Sequence, residues 1–295
     1  MIDKLEMFIA LANERHFGRA AELCGVTQPS LSGAIKQLEE QLGVQLVWRG
    51  SRFQGLTPEG ARVLDWARRI AADARAMKDE MRAARVGLSG RLRIGVIPTA
   101  LSMVVDLTQV FAVRHPNVRI SILSRTSVEI LQQIETLELE AGITYLDNEP
   151  LGRVSSVPLY HEAYLLLVAA GSALAGCDTV TWADVAAEPL CLLTPDMQNR
   201  RIISQHLAEA GQEVEAKVES NSVITLVSHV LTGRWASVVP VKTAELFAAQ
   251  PGLRAIPIAD HGDRHLVGLI TAMRDPHTPV LAAMIDEARR ISAIA

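Results

Sequence analysis

The run from Phe17 to Gly43 constrains this 295-residue chain more than any other stretch, because its small, glycine and apolar positions fall where two packed helices need them. Phe17 to Leu23 reads as a short helix, and Gly25 ends it at a position suited to a left-handed residue. Thr27 is placed to cap the next helix, with Pro29 in its first turn. Leu31, Ile35, Leu38 and Leu42 then form one apolar stripe until Gly43. Ahead of both, Leu5, Phe8, Ile9 and Ala12 recur at helical spacing. A helix-turn-helix needs a small residue in its first helix, a glycine-type turn, and apolar residues that lock the second helix down. Ala21, Gly25, Leu31 and Ile35 meet these demands in order. The opposite face carries Gln28, Ser30, Ser32 and Lys36, side chains that pair with base edges or phosphates, set against the plainer alternative of a solvated helix face.

Past Gly43, Gln45 to Val47 and Gly55 to Thr57 look like two strands around the turn Gly50-Ser51-Arg52, with Arg49 and Arg52 at the tip. Thr57-Pro58-Glu59-Gly60 opens a long helix by the same Thr-Pro logic. Val63, Trp66, Ile70, Ala74, Met77, Met81 and Ala84 are spaced by threes and fours while Arg and Lys occupy the other faces, and so narrow a seam wants a partner helix. Gly87-Leu88-Ser89-Gly90 reads as a hinge. From Leu92 the texture changes. Short apolar strands at 92–97, 118–123, 141–144, 164–168, 190–193 and 238–239 are each followed by a helical pattern or loop, which is an α/β, doubly wound signature.

A formal charge of −4 is a poor average for a partner of nucleic acid, but the average conceals a division. Residues 1–93 hold 15 Lys+Arg against 11 Asp+Glu, a net of +4, whereas the remainder holds 14 against 22, a net of −8. Such asymmetry suggests a polyanion-binding end on an acidic body. The length predicts two domains plus a connector. Hydrophobic residues at 49% and charged residues at 21% fit an ordered globular protein. Cys24, Cys177 and Cys191 are too few and too far apart for a disulfide framework or a Cys-x-x-Cys metal site, which fits a reducing compartment. Met1-Ile2-Asp3-Lys4-Leu5-Glu6 puts charge where a signal peptide needs an apolar run, and no later stretch reaches ~18 uninterrupted apolar residues. The expectation is a cytoplasmic protein without a membrane partner.

The residues from Phe17-Gly18-Arg19-Ala20-Ala21 through Thr27-Gln28-Pro29-Ser30-Leu31-Ser32 to Gly43 closely resemble the LysR-type transcriptional regulators. Leu46-Val47-Trp48-Arg49 and Leu56-Thr57-Pro58-Glu59-Gly60 resemble that family's wing and its entry to the linker helix, and Gly90-Arg91-Leu92-Arg93-Ile94-Gly95 resembles the start of its effector domain. The resemblance implies an N-terminal winged helix-turn-helix over 1–58, a dimerising linker helix and hinge over 59–89, and a two-lobed effector domain like the periplasmic binding proteins over 90–295. Within it, lobe I spans about 90–162 and 266–295 and lobe II about 163–265. It also implies a homo-oligomer, usually a tetramer, on double-stranded operator DNA. Thr27, Gln28, Pro29, Ser30, Ser32 and Lys36, with Arg49 and Arg52 of the wing, are the expected DNA contacts. Gly33 departs from the larger polar or basic residue of many relatives, which bears on the sequence read by the third helix and not on DNA binding, and Val47 replaces the common Phe of the wing entry.

Ligands of open α/β sheets sit at the carboxyl ends of strands, beside helix N-termini whose free N–H groups favour anions. Three segments offer this: Ile97 to Ser102, where Thr99 could cap a helix and contact a ligand beside Ala100 and Leu101; Thr194 to Asn199; and Ser220-Asn221-Ser222. Thr126 and Tyr145 follow two further strands, and the resemblance places them, with the first segment, along the cleft between lobes. Plain helix capping is the competing explanation for each. Arginine stands at these turns only at Arg125, Arg200 and Arg201, so the expected effector is a small ligand held by hydroxyls, amides and N–H groups. Thr194-Pro195-Asp196-Met197-Gln198-Asn199-Arg200-Arg201 is similar to regulators of formate metabolism, which makes formate or another small carboxylate the expected effector.

Rival classes find less in the sequence. An enzyme would need Gly-x-Ser-x-Gly, His-Glu-x-x-His or a phosphate loop, and Gly50 to Gly55 is followed by Leu56-Thr57 where Lys-Ser/Thr is required. His261-x-x-x-His265 has metal-like spacing but no third ligand nearby, so no metal and no cofactor is expected. A thiol redox sensor would use Cys177 and Cys191, yet Cys191 lies in an apolar strand. A solute-binding module would share the C-terminal fold but has no use for residues 1–87.

Overall fold

The computed structural model describes residues 1–48, 53–247, 250–259 and 264–293, with the backbone alone at Ala84 and Val86. The chain forms two compact units, Met1–Leu88 with His277–Pro279, and Ser89–Pro276 with Val280–Ala295.

The first unit contains α1 (Ile2–Glu14), α2 (Phe17–Leu23), α3 (Gln28–Leu42) and α4 (Pro58–Val86). Their ends are set locally. His16 Nδ1 accepts from the N–H groups of Gly18 and Arg19 at the start of α2. The Thr27 hydroxyl accepts from Ser30 N to start α3, which ends at Gly43 with φ 71°. Phe8, Leu11, Leu31, Leu38 and Leu46 are fully buried and meet Ala20, Ala21 and Ile35 in one core. Each large side chain buried there contributes about 1.5–3 kcal/mol. Leu42, expected in the apolar stripe, is exposed because the core ends one turn before it. The two expected wing strands reduce to one antiparallel bridge, Val47 with Leu56. Glu39 of α3 holds this segment by accepting from Leu46 N at 2.7 Å and Val47 N at 3.3 Å. Arg49, Arg52 and the turn between them lie outside the described residues. Along α4, Leu64 and Ala67 bury against the core and Ala71 is buried one turn on, whereas Trp66, Ile70, Met77 and Met81 are exposed. Among the described residues the long seam is thus left open for a partner.

In the second unit, β1 (Gly90–Val96), α5 (Val104–Arg114), β2 (Val118–Ser124), α6 (Ser127–Glu135), β3 (Ala141–Tyr145) and β4 (Val154–Glu162) come first. They are followed by β5 (Tyr164–Ala169), α7 (Trp182–Ala187), β6 (Cys191–Leu193), α8 (Gln198–Glu209), β7 (Val218–Ser220), α9 (Val223–Leu231), β8 (Ser237–Pro240), α10 (Val241–Phe247) and β9 (Leu253–Pro257). β10 (His265–Ala272) and α11 (Pro279–Ser292) close the chain. One sheet has the order β2-β1-β3-β10-β4, with β1 parallel to both neighbours and β10 antiparallel to its own. A second group holds β8-β5-β9 and the parallel pair β6-β7, joined by a bridge between Leu190 and Ala236. The sheets are therefore mixed rather than wholly parallel. The chain leaves the first sheet at Glu162, enters the second group at Tyr164, and returns at His265. These two crossings divide the second unit into two lobes.

Candidate functional site

On the first unit, Thr27, Gln28, Pro29, Ser30, Ser32 and Lys36 are all exposed, while Leu31, Ile35 and Leu38 of the same helix are buried. The 3.6-residue period thus separates a locked face from a free one. The Thr27 hydroxyl is spent on the cap and lies 2.9 Å from the Ser30 hydroxyl. Lys36 faces Glu40 at 3.8 Å in a solvent-screened pair of little strength. A side chain at Gly33 would meet nothing within 4 Å, so glycine there is not required by packing. It leaves a shallow gap on the exposed face.

The second unit holds a cleft of about 1220 Å³. One wall comes from the segments after β1 and β2, with Leu101, Ser102, Val105, Arg125, Thr126 and Val128. The other comes from the segments after β6 and β7 and from α10, with Met197, Arg201, Asn221, Ile224 and Leu246. Of the expected effector residues, Leu101, Thr126 and Asn221 line this cleft. Thr126 also caps α6, accepting from Glu129 N at 3.1 Å while Glu129 accepts from Thr126 N at 2.8 Å. Thr99 does not cap a helix, because it sits inside the short 3-10 turn Pro98–Ala100, and its hydroxyl lies 3.3 Å from that of Tyr145. Thr99, Ala100 and Tyr145 are buried and are not among the lining side chains, nor is Thr194. Three hydroxyls at strand ends, Ser102 Oγ, Ser127 Oγ and Thr194 Oγ1, are out of solvent with no hydrogen-bond partner. Ser127 escaped the sequence reading because Thr126 beside it satisfied the capping pattern.

A second polar cluster lies at the lobe crossing. Glu162 is 2% exposed, and all three tyrosines of the chain converge on it. Tyr145 donates to one carboxylate oxygen, and Tyr160 donates to the other at 3.2 Å. The Tyr164 hydroxyl stands 3.2 Å from that of Tyr145, which also accepts from Asn199 Nδ2 at 3.3 Å. Burial pushes the Glu162 carboxyl up to about 7, against the opposing hydrogen bonds from the tyrosines. Burial and the facing carboxylate raise the three phenols in turn. Alongside, His206 stacks on Trp182 with centroids 4.9 Å apart, and His265 lies 3.7 Å from Asp147. Of this cluster the sequence pointed to Thr99 and Tyr145, while Glu162, Tyr160, Tyr164 and the two histidines are too scattered along the chain to be grouped by spacing.

Arg200 and Arg201 are adjacent on α8 but differ in use. Arg200 is buried and donates to Leu193 O at 3.0 Å and to Glu219 at 2.7 Å. Arg201 lines the cleft and forms a bidentate pair with Glu149 at 2.7 and 2.9 Å. Cys191 is fully buried, and desolvation pushes its thiol up to about 11, while Cys177 is partly exposed. His261 lies outside the described residues, and among the described residues no group of three or more His, Cys, Asp or Glu could hold a metal ion. No helix among them is long and apolar enough to cross a membrane.

Residues 2–61 match the family model described as bacterial regulatory helix-turn-helix protein, lysR family, and residues 85–292 match that of the LysR substrate binding domain. The hydrogen peroxide-inducible genes activator of Escherichia coli O6:H1 is 30% identical over 272 residues, covering 91% of this chain and 88% of that one. Among solved structures, a full-length OxyR variant from Pseudomonas aeruginosa superimposes with a TM-score of 0.79 at 24% identity, over 98% of this chain and 94% of the other. Full-length CbnR complexed with its target DNA gives a TM-score of 0.70 at 23% identity, over 99% of both chains. At these identities the two structures establish the fold.

Proposed function

The chain belongs to the LysR family of bacterial transcriptional regulators, and from that premise we propose that its effector is a small carboxylate, formate being the smallest, bound in the cleft of the second unit. The protein is a DNA-binding regulator that responds to an effector, and it is not an enzyme. The observation that carries the carboxylate reading is the buried, unpartnered hydroxyl of Ser102 on the cleft wall at the start of α5; Ser127 and Thr194, also unpartnered, are not themselves lining residues. A buried donor without a partner costs about 1–3 kcal/mol, and an anion's oxygen would satisfy the Ser102 hydroxyl beside the positive end of α5. Leu101, Thr126 and Asn221 complete the lining, with Thr99, Ala100 and Tyr145 behind it. Val105, Val128, Ile224 and Leu246 leave room for an acid with an aliphatic or ring body. Calorimetry with formate, acetate and longer acids is the test. Ser102→Ala removes one donor to a charged group and should weaken binding roughly tenfold or more, at about 1.5–3 kcal/mol per such bond. No heat from any acid with the wild-type protein defeats the proposal.

The exposed face of α3 is the proposed base-reading surface, with Arg49 and Arg52 adding phosphate contacts. Lys36→Ala should weaken binding to all sequences alike and lower the salt slope by about 1, whereas Gln28→Ala should change which sequence is preferred. An anisotropy titration across salt and operator variants in which neither change occurs would move the reading helix elsewhere. The open seam of α4 supports assembly of the oligomer through this helix, in the cytoplasm. The alternative of a thiol switch at Cys177 and Cys191 is less well supported, because a reactive cysteine needs a lowered pKa and access, and Cys191 has neither.

A further inference from the structure

The guanidinium of Arg201 is used on every side. Nη1 donates to the carbonyls of Pro195 at 3.1 Å and Asp196 at 2.9 Å, which fixes its position at the start of α8 without neutralising its charge. Nε and Nη2 form the two-pronged fork that matches a carboxylate, and Glu149 fills it. Glu149 belongs to the other lobe, on a tight turn after β3 in which Asn148 is left-handed and Asp147 is anchored to Leu266 N at 2.8 Å. The pair therefore ties α8 to that turn. The neighbouring ties are uncharged and longer, Gln198 Nε2 to Asp147 O at 3.5 Å and Asn199 Nδ2 to Tyr145 at 3.3 Å.

Two features separate this pair from a structural salt bridge. Its side chains are 37% and 34% exposed, so water and a competing anion can reach them, and such pairs carry little net strength. The adjacent Arg200 side chain is 10% exposed. Arg201 is also part of the cleft wall, where an incoming acid would meet it.

We propose that Glu149 is a built-in substitute for the effector's carboxylate on Arg201, so that the acid and Glu149 compete for one guanidinium and effector binding releases the Glu149 turn from α8. This inference rests on the carboxylate reading of the cleft. It assigns Arg201 as the residue that distinguishes acids from neutral analogues. It also gives the signal a physical form: exchange of an internal for an external carboxylate removes the charged tie between the lobes.

The experiment is calorimetry on the full-length protein at fixed ionic strength, with formate and acetate and with the amides formamide and acetamide, using the wild type, Glu149→Gln and Arg201→Gln. Glu149→Gln keeps the size but removes the competing charge, so acids should bind roughly 3–10-fold more tightly, the range expected for a part-exposed bidentate pair, while the amides do not gain. Arg201→Gln should lose the preference for acids over amides. Acids that bind the wild type and Glu149→Gln equally, or the variant more weakly, overturn the exchange while leaving the carboxylate reading intact. Tightening of acids and amides alike also overturns it, since that would reflect loosened lobes and not a vacated charge. Acids that bind neither protein overturn both readings.

Discussion

Gly60→Ala should destabilise the DNA-binding unit by about 3 kcal/mol or more and abolish operator binding, the largest effect expected of a single methyl group in this chain. Gly60 lies in the first turn of α4, where an added Cβ would stand 2.0 Å from the carbonyl oxygen of Leu46 and 2.8 Å from its carbonyl carbon. Both atoms are backbone, and neither can yield. Leu46 is fully buried, its N–H is held by Glu39 and its carbonyl accepts from Thr57 N at 3.0 Å. Thr57 in turn caps α4 through Gly60 N at 2.9 Å and donates to Gln45 O. The turn, the cap and the bridge strand are therefore one tight joint with no space for a side chain. Gly33→Ala is the matched control: with nothing within 4 Å, it should add roughly 0.5–1 kcal/mol by reducing the freedom of the unfolded chain. Urea unfolding and limited proteolysis of the two variants test this, and a Gly60→Ala protein within about 1 kcal/mol of wild type would mean that α4 can move away from Leu46.

Glu162→Gln should flatten the pH dependence of stability and make the protein more stable than wild type above pH 7. Burial raises the folded carboxyl from an ordinary 4.5 to about 7. Between these values the unfolded chain gives up its proton while the folded one keeps it, so stability falls as pH rises through this window and levels off above it. At about 1.4 kcal/mol per pH unit, the contribution fully present below pH 4.5 amounts to about 3 kcal/mol and is lost by pH 7. Glutamine carries no proton to lose. Melting temperatures of both proteins should diverge from pH 5 to about 7 and keep a constant difference from there to pH 8. Parallel curves would show that water reaches Glu162 or that the tyrosines stabilise its charge outright.

The DNA-reading unit was legible because its signals are local. The caps of Thr27 and Thr57 and the turn at Gly43 act within four residues of themselves, and the apolar period of α3 needs only the neighbouring helices to make it useful. Two of the strands missing from the sequence pattern, β4 and β10, pair with each other about a hundred residues apart. β4 carries Pro158 and several polar residues, which demotes it by pattern, yet it is an edge strand and Pro158 sits opposite Gly268 beside a register shift, where a missing N–H does no harm. β10 contains that glycine and follows the 260–263 segment, whose Gly/Asp content reads as loop. The candidate cleft was partly legible, since strand ends and helix starts can be found by spacing. Which hydroxyls remain unpartnered there, and that Glu149 reaches Arg201, depends on contacts across the lobes that no local period encodes.

Because β10 lies between β3 and β4, the first sheet must wait on synthesis. β4 ends at Glu162 and its strand neighbour begins at His265, so about a hundred residues leave the ribosome before the ladder can close. At ordinary synthesis rates of about 5–20 residues per second, that is an interval of roughly 5–20 s. During it the helix-turn-helix already has its core, because the clustered buried residues run from Leu5 to Ala67, while the first sheet holds only β1, β2 and β3 and lacks the strand that would seat β4. The part of the protein that reads DNA is thus complete on the nascent chain well before the part that decides what the reading means.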